Sequence, residues 1–368
     1  MPHTNHNKIP AWSWIAPAFA LVLLGIKSTG LIPVDHPAIL IVSALLLGAA
    51  VFASVHHAEV LAVRLGEPFG SILLAVAVTI IEIGLIVSIM SAGEAGSNSV
   101  ARDTVFAAVM IVMNGVIGLC MVVGGRQHFE QVFQIKGASS SLAVLGTLAV
   151  ITLVLPNYAL TEPGPFFSSA QIVVIGIASL VLYVTFVFVQ TIRHRDYFLE
   201  GRKDINTAEH DHVRKPSRKT SWISLFLLMA SLTAVILLSK ILSKPISDTV
   251  AAAGLPKAFV GVVIALIVLL PEGIAAVRAA ILNHLQNSIN LAVGSAIASI
   301  GLTIPAVAVV SLMSKEPLAL GINPANTVLL VLTLFMGTIT LGTGRTTVLQ
   351  GMVHLVIFAV FLLIAAVP

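Results

Sequence analysis

Charged residues are scarce in this chain. Asp, Glu, Lys and Arg make up 10% of its 368 residues, whereas 57% are hydrophobic, and the mean hydropathy is +1.03. A soluble domain carries roughly 25% charged residues, because polar groups must cover its surface. The composition therefore excludes a water-soluble globule and predicts a polytopic membrane protein.

Cysteine is almost absent as well. The single Cys120 excludes a disulfide framework and a cysteine-based metal cluster. The net charge of +4 does not indicate a nucleic-acid partner, because the loop bias that orients membrane helices explains a small excess of Lys and Arg. The polar residues 1–10 lead directly into a long apolar stretch, so we expect no cleavable signal peptide.

Long apolar runs are what the chain has instead. A bilayer core needs about 20 mostly apolar residues for each helix, and open strands cannot span lipid because their backbone groups would be unpaired. We therefore predict an all-α fold with eleven transmembrane helices. They lie near residues 12–33, 37–55, 69–92, 104–124, 139–158, 168–192, 221–240, 257–281, 288–313, 325–341 and 346–367.

The distribution of basic residues predicts the orientation. One long hydrophilic stretch, residues 193–220, contains eight Lys and Arg residues and has the composition of a flexible linker. If this linker is cytoplasmic, fourteen basic residues lie inside and six outside, as the positive-inside rule requires. The N-terminus is then cytoplasmic and the C-terminus lies outside, which is also what an odd number of spans demands.

The linker divides the chain into two sets of five spans. We predict an N-terminal tail and first helix over residues 1–36, a five-helix repeat over 37–192, the linker over 193–220 and a second five-helix repeat over 221–368. Because five is odd, the two repeats have opposite orientations. Inverted repeats are typical of secondary transporters, whose binding site lies near the membrane midplane between the halves.

Two acidic residues fall inside predicted spans. Of the sixteen Asp and Glu residues, fourteen lie in loops or in the linker, Asp103 among them, whereas Glu82 and Glu272 each lie in the second helix of a repeat. A carboxylate in a membrane costs about 2.5–3.5 kcal/mol on insertion scales. A permanently protonated structural glutamate is one interpretation. Two glutamates at matching places, with no Lys or Arg at similar depth, favour a site where protons and a metal cation compete.

Residues around the two glutamates suit such a site. Pro271 and Gly273 flank Glu272, and proline removes a backbone hydrogen bond, so we expect a helix break there that exposes carbonyl oxygens. Ser295, Ser299 and the amide of Asn114 are candidate ligands in the spans that follow the glutamates. An ordinary proline kink and plain small-residue packing are the alternatives.

Three segments carry a family resemblance, namely LGEPFGSILLAVAVTIIEIGLIVS (65–88), LLPEGIAAVRAAILNHLQNSINLAVGSAIASIGLTIP (269–305) and GRTTVLQGMVHLVIFAVFLLIAA (344–366). With them the chain resembles the calcium/cation antiporter superfamily, and within it the cation/proton exchanger family and its bacterial ChaA-type branch. The resemblance extends over nearly the whole chain from about residue 50.

This resemblance implies an exchanger in the bacterial inner membrane that moves cytosolic cations outward against inward proton flow. It implies that Glu82 and Glu272 carry cation and proton alternately and that Ser295 belongs to the site. The partners implied are transported ions and membrane lipid, with no permanently bound cofactor. Val78-Thr79 and Val268-Leu269 stand where most relatives have Gly-Asn. Ca²⁺ is the first expectation, and Na⁺ and K⁺ stay open.

Other functions remain as alternatives. A cation channel could use the same acids as a selectivity element, and a proton dependence of the flux would distinguish an exchanger from it. The chain has no phosphate-binding loop, aspartate-rich prenyltransferase motif or His-Glu-x-x-His motif, so we do not expect an enzyme. The sequence leaves open whether His56, His57, His354 or the linker regulate transport, and it leaves open the oligomeric state.

Overall fold

The computed structural model describes residues 9–28, 36–66, 69–90, 97–199, 216–314 and 317–368. Within these ranges nearly all residues are helical. The α-helices are α1 (Ala11–Ser28), α2 (Pro37–Leu65), α3 (Phe69–Met90), α4 (Val100–Met110), α5 (Ile117–His128), α6 (Ile135–Ala149), α7 (Ser169–Phe188), α8 (Arg218–Ala252), α9 (Ala258–Ile281), α10 (Leu285–Ala298), α11 (Ile304–Ser314), α12 (Pro324–Gly342) and α13 (Val348–Ala366).

Several of these helices are joined end to end by wide π-helical turns. Ile111–Val116 joins α4 to α5, and Ser299–Thr303 joins α10 to α11. Two further π-helical turns, Val150–Val154 and Val189–Arg193, extend α6 and α7. Such turns are rare and appear mostly as single-turn bulges, frequently at functional sites.

The membrane-spanning architecture is confirmed. The described residues contain ten helices that are long and apolar enough to cross a membrane, and a shorter apolar helix over Ala11–Lys27 precedes them. Five of the ten precede residues 200–215 and five follow, in the predicted order. Most of the predicted linker, residues 200–215, lies outside the described residues.

Two helices are much longer than the spans predicted from hydropathy. α2 continues ten residues past the predicted end at 55, and α8 continues well past 240. Hydropathy marks the hydrocarbon core, about 30 Å thick, whereas a helix of 29 residues is roughly 43 Å long and reaches the headgroup region on both sides. The polar ends of such helices are therefore invisible to a hydropathy window.

Residue contacts group the chain into two compact units. The first comprises residues 1–93 and 202–249, and the second comprises residues 94–201 and 250–368. This grouping differs from the division into two consecutive five-helix repeats. It does not test that division, which stays a prediction.

In the first unit, α2 and α3 are fixed by polar contacts to their neighbours. His57 of α2 is buried and its Nε2 lies 3.1 Å from the Ser13 carbonyl oxygen of α1. The hydroxyls of Ser88 on α3 and Ser239 on α8 are hydrogen-bonded at 2.9 Å. The first contact ties α2 to α1, and the second holds α3, which carries Glu82, against α8.

The second unit is built around the span Val100–His128. In the most apolar stretch of this span, 78% of the residues are buried. Near its end, two glycines allow α5 and α13 to approach closely. A Cβ atom on Gly351 would lie 2.8 Å from the Gly118 carbonyl oxygen, and a Cβ atom on Gly118 would lie 3.0 Å from the Cβ of His354. The helices therefore touch through their backbones at this point.

Short connections at one end of the second unit are tied together. The strands β1 (Gln131–Val132) and β2 (Arg345–Thr346) pair antiparallel. The side-chain amide of Gln131 donates to the Ala280 carbonyl at 2.8 Å and to Asn283 Oδ1 at 3.0 Å. The turn between α9 and α10 is thereby anchored, and with it the end of the helix that carries Glu272.

The close contact between α5 and α13 gives a stability prediction. Gly351→Ala forces two backbones apart, and we expect it to lower the free energy of unfolding by about 1–3 kcal/mol, as other overpacked cores do. Thermal unfolding of the purified protein in detergent measures the effect. Gly48→Ala on α2 is the control, because a Cβ atom there meets nothing within 4 Å. Equal melting temperatures for the two variants would contradict the close crossing.

Candidate functional site

Glu82 is buried in the first unit. Its side chain lies in the middle of α3 and is 3% exposed. Thr79, one turn earlier, is also buried and donates its hydroxyl proton to the Ala75 carbonyl at 2.8 Å. Two positions later, Gly84 allows Ile236 of α8 to come within 2.9 Å of where a Cβ atom would lie. Glu82 is thus held on a helix that packs closely against α8.

Glu272 is buried in the second unit. Its side chain is 7% exposed and lies on α9. The helix break expected at Pro271 and Gly273 is wrong, because α9 continues without interruption from Ala258 to Ile281. Proline removes one backbone donor, so the Ile267 carbonyl receives no bond from residue 271, yet the rest of the helical ladder persists. Membrane helices tolerate proline in this way.

Two glycines set the register of α9 against the span Val100–His128. A Cβ atom on Gly261 would lie 2.7 Å from the backbone nitrogen of Thr104, and one on Gly273 would lie 3.4 Å from Val116 Cγ2. As many residues separate Gly261 from Gly273 as separate Thr104 from Val116. The two helices therefore run parallel and stay in register over about 18 Å. Glu272 lies at the level of the wide turn Ile111–Val116.

Asn114 belongs to this wide turn but its amide is directed elsewhere. Its Nδ2 donates to Thr333 Oγ1 of α12 at 2.9 Å, and its Oδ1 lies 3.0 Å from His354 Nδ1 of α13. Val116, two residues later, contacts α9. Side chains two residues apart on a helix do not share a face. The structure thus places Asn114 level with Glu272, with its amide hydrogen-bonded to α12 and α13. A role as cation ligand stays a prediction.

Ser295 and Ser299 lie on the helix that follows Glu272. Ser299 is buried and begins the wide turn Ser299–Thr303, whereas Ser295 is half-buried one turn earlier on α10. The hydroxyl of Ser288 donates to the Ala276 carbonyl at 2.7 Å, which fixes α10 against α9. Both candidate serines are therefore on a helix packed beside the one that carries Glu272. Their roles as ligands are not tested by these contacts.

Sorting the acids by sequence position missed one buried carboxylate. Asp103 was expected in a loop, but it lies in the first turn of α4 and is 8% exposed. It pairs with its neighbour Arg102, whose Nε lies 2.8 Å from Asp103 Oδ1, and Ser99 donates to its other oxygen at 3.1 Å. Arg102 also donates to the Gly321 carbonyl at 3.1 Å. This ion pair identifies Asp103 as part of a helix-end anchor.

The sequence also gave no reason to select Thr333 and Thr340 of α12. Both are buried and take part, with Asn114 and His354, in a hydrogen-bonded group inside the second unit. A buried histidine in an apolar span was the one signal available.

Among the described residues, no cluster of three or more His, Cys, Asp or Glu side chains could hold a metal ion.

Comparisons with known proteins match nearly the whole chain. A family model described as sodium/calcium exchanger protein matches residues 36–192 and again residues 223–367. A protein of Sinorhizobium fredii named only as an ionic transporter is 56% identical over 98% of this chain and 97% of its own length. The sodium-potassium/proton antiporter ChaA of Escherichia coli is 35% identical over 98% of this chain and 96% of its own.

A solved structure shares the fold. The crystal structure of the H⁺/Ca²⁺ exchanger CAX superposes with a TM-score of 0.69, covering 95% of this chain and 87% of that one. Sequence identity between the two is 14%, so the likeness concerns the fold alone. The fold is therefore one that a membrane exchanger also adopts.

The register between α9 and the span Val100–His128, the central span of the second unit, can be tested by cross-linking. With Cys120 replaced by serine, we expect Val116→Cys and Gly273→Cys together to form a disulfide on mild oxidation, because a Cβ atom on residue 273 would lie 3.4 Å from Val116 Cγ2, a position that a cysteine sulfur can take. Val112→Cys with Gly273→Cys is the control, since residue 112 lies one turn away. Gel mobility after cleavage between the two halves measures the bond. Equal or preferred cross-linking of the control pair would contradict the parallel register.

Proposed function

This chain belongs to the sodium/calcium exchanger family, and from that premise we propose that it exchanges cytosolic cations for protons by alternating access. It is an antiporter of the cation-exchanger type and not an enzyme. The observation that carries the proposal is the burial of Glu82 and Glu272, each in an apolar helix at the corresponding place in its half of the chain. The two carboxylates are the groups that take up cation and proton in turn.

The chemistry follows from the cost of charge in an apolar surrounding. An ionised carboxylate that leaves water loses its hydration, and either a proton or a bound cation removes that penalty. Both use the same carboxylate oxygens, so they exclude each other. When the site opens to the outside, protons displace the cation; when it opens to the cytoplasm, the cation displaces protons.

The remaining ligands come from neutral oxygens. Two glutamates supply at most four oxygens, whereas Ca²⁺ prefers about 6–8. We assign the hydroxyls of Ser295 and Ser299 as further contributors, with the Ile267 carbonyl released by Pro271 as a supplementary oxygen. The alternation of site access then requires movement of the helices that carry these groups.

We propose Ca²⁺ as the first cation, with Na⁺ and K⁺ as alternatives. The resemblance to cation/proton exchangers supports Ca²⁺, whereas the relative from Escherichia coli is named a sodium-potassium/proton antiporter. A small ligand set supports a site that accepts more than one cation. We also propose that the protein lies in the bacterial inner membrane, with its N-terminus in the cytoplasm and its C-terminus outside.

The comparisons do not favour a channel. The matching family and the named antiporter both exchange ions, and one acid in each half of the chain suits a carrier that binds and releases its cargo. A channel would conduct the cation without moving protons in the opposite direction. Proton coupling therefore separates the two functions.

Neutralising either glutamate should stop exchange. We expect Glu82→Gln and Glu272→Gln each to abolish cation-induced proton movement in everted membrane vesicles, because glutamine can neither bind a proton nor neutralise a cation. Glu59→Gln on α2 is the control, since that acid is exposed. Exchange that persists in either glutamate variant, at matched protein amounts, would refute the proposed site.

An ion panel tests the substrate. With a pH-sensitive dye in everted vesicles, successive addition of the chlorides of Ca²⁺, Na⁺ and K⁺ should dissipate the proton gradient for each transported cation, with Ca²⁺ active at the lowest concentration. Vesicles containing the Glu272→Gln variant give the baseline. A response to Na⁺ or K⁺ alone would correct the cation while leaving the exchange mechanism in place. Cation flux that moves no protons would indicate a channel.

A further inference from the structure

A row of hydrogen-bonded polar side chains runs through the interior of the second unit. Asn114, Thr333, Thr340 and His354 are each at most 1% exposed. His354 Nδ1 lies 3.0 Å from Asn114 Oδ1, His354 Nε2 lies 3.1 Å from Thr340 Oγ1, and Asn114 Nδ2 lies 2.9 Å from Thr333 Oγ1. The residues come from the central span, α12 and α13. Neither the family match nor the proposed exchange assigns a role to this group.

The hydrogen bonds in this row all run in one direction, so that each side chain donates to the next. Thr333 Oγ1 lies 3.4 Å from Met110 Sδ, to which it donates, so it accepts from the Asn114 amide nitrogen. Asn114 therefore turns its oxygen toward His354, and an amide oxygen can only accept. His354 Nδ1 then carries the proton, and its Nε2 accepts from the Thr340 hydroxyl. The Asn114 oxygen thereby sets the tautomer of His354, and the Thr340 hydroxyl holds the other ring nitrogen.

The wide turn that contains Asn114 lies beside the helix that carries Glu272. Asn114 and Val116 share the wide turn Ile111–Val116, and Val116 contacts α9 at Gly273, directly after Glu272. A wide turn interrupts the regular helical ladder and needs tertiary contacts to persist. Such contacts come from α13, whose Phe358 ring would be 3.3 Å from a Cβ atom on Gly115 of the turn. The hydrogen-bonded row thus holds one side of the turn while Glu272 lies at its other side.

We propose that His354, oriented by Thr340, is a positioning residue of the cation site. It acts through Asn114, which keeps the wide turn in the shape that supports Glu272. This inference rests on the proposed function and adds residues of α12 and α13 to it. Loss of the hydrogen bond between His354 and Asn114 weakens cation binding more than it slows turnover.

Three substitutions at one position separate the two nitrogens of His354. His354→Asn keeps a donor at the δ position that faces Asn114, His354→Gln keeps a polar group only at the ε position that faces Thr340, and His354→Leu keeps neither. Proton-coupled exchange in everted vesicles is measured against cation concentration for each variant. We expect the apparent KM of His354→Asn to stay within about twofold of the parent, and that of His354→Gln and His354→Leu to rise roughly tenfold, the effect of one lost buried hydrogen bond.

Thr340→Val tests the orienting hydroxyl with nearly the same side-chain volume. We expect a severalfold rise in KM, because His354 Nε2 loses its hydrogen-bond partner and the imidazole is no longer held from both sides. Thr338→Val on the same helix is the control, since Thr338 is exposed and bonds the Leu334 carbonyl of its own helix. Its KM should match that of the parent.

The outcomes separate this inference from the proposed exchange. An unchanged KM in His354→Leu would overturn the positioning role, even where Glu272→Gln is inactive as proposed. Equal losses in His354→Asn and His354→Gln that follow only the amount of protein in the membrane would also overturn it, because they indicate a general packing role. Exchange that persists in Glu272→Gln refutes the glutamate site itself, whatever His354 does.

Discussion

The high cost of an ionised carboxylate in an apolar surrounding governs this molecule. Glu82 and Glu272 are buried in helices that are otherwise almost entirely apolar. A carboxylate in such a place must be neutralised by a proton, a cation or a nearby base. The buried Asp103 illustrates the third solution, because Arg102 pairs with it. For the two glutamates we propose a proton or a bound cation as the neutralising group, and exchange of one for the other is the proposed consequence.

Close backbone packing gives the charged group a defined place. Glycines at positions 261 and 273 allow α9 to lie against the central span, and glycines at 118 and 351 do the same between α5 and α13. Between membrane helices lipid supplies no hydrophobic driving force, so small residues and buried hydrogen bonds hold the helices together. Glu272 is thereby fixed in level relative to the wide turn Ile111–Val116. Because the helices cannot slide past each other, the position of Glu272 in the sequence determines which groups lie at its level.

Hydropathy predicts this fold well because the bilayer allows few alternatives. The number and order of the spans followed from apolar runs alone, whereas the ends of α2 and α8 did not, since charged and polar side chains interrupt the residues beyond 55 and 240. The break expected at Pro271 was wrong for a related reason. A single missing donor does not stop a helix whose remaining bonds have no water to replace them. The irregular turns occur instead at Ile111–Val116 and Ser299–Thr303, where no proline is present.

The charged residues of the candidate site could be predicted from the sequence, but the hydrogen-bond partners around them could not. An isolated acid in an apolar run is visible in one short segment, so Glu82 and Glu272 could be selected from the sequence. The partners of Asn114 could not, because His354 is 240 residues away and Thr333 is 219 residues away. Neither is unusual in its own segment, and their meaning arises only when α12 and α13 pack against the central span. A hydrogen bond between distant residues is a property of the packing, and a carboxylate that must bind and release a cation depends on that packing as much as on its own charge.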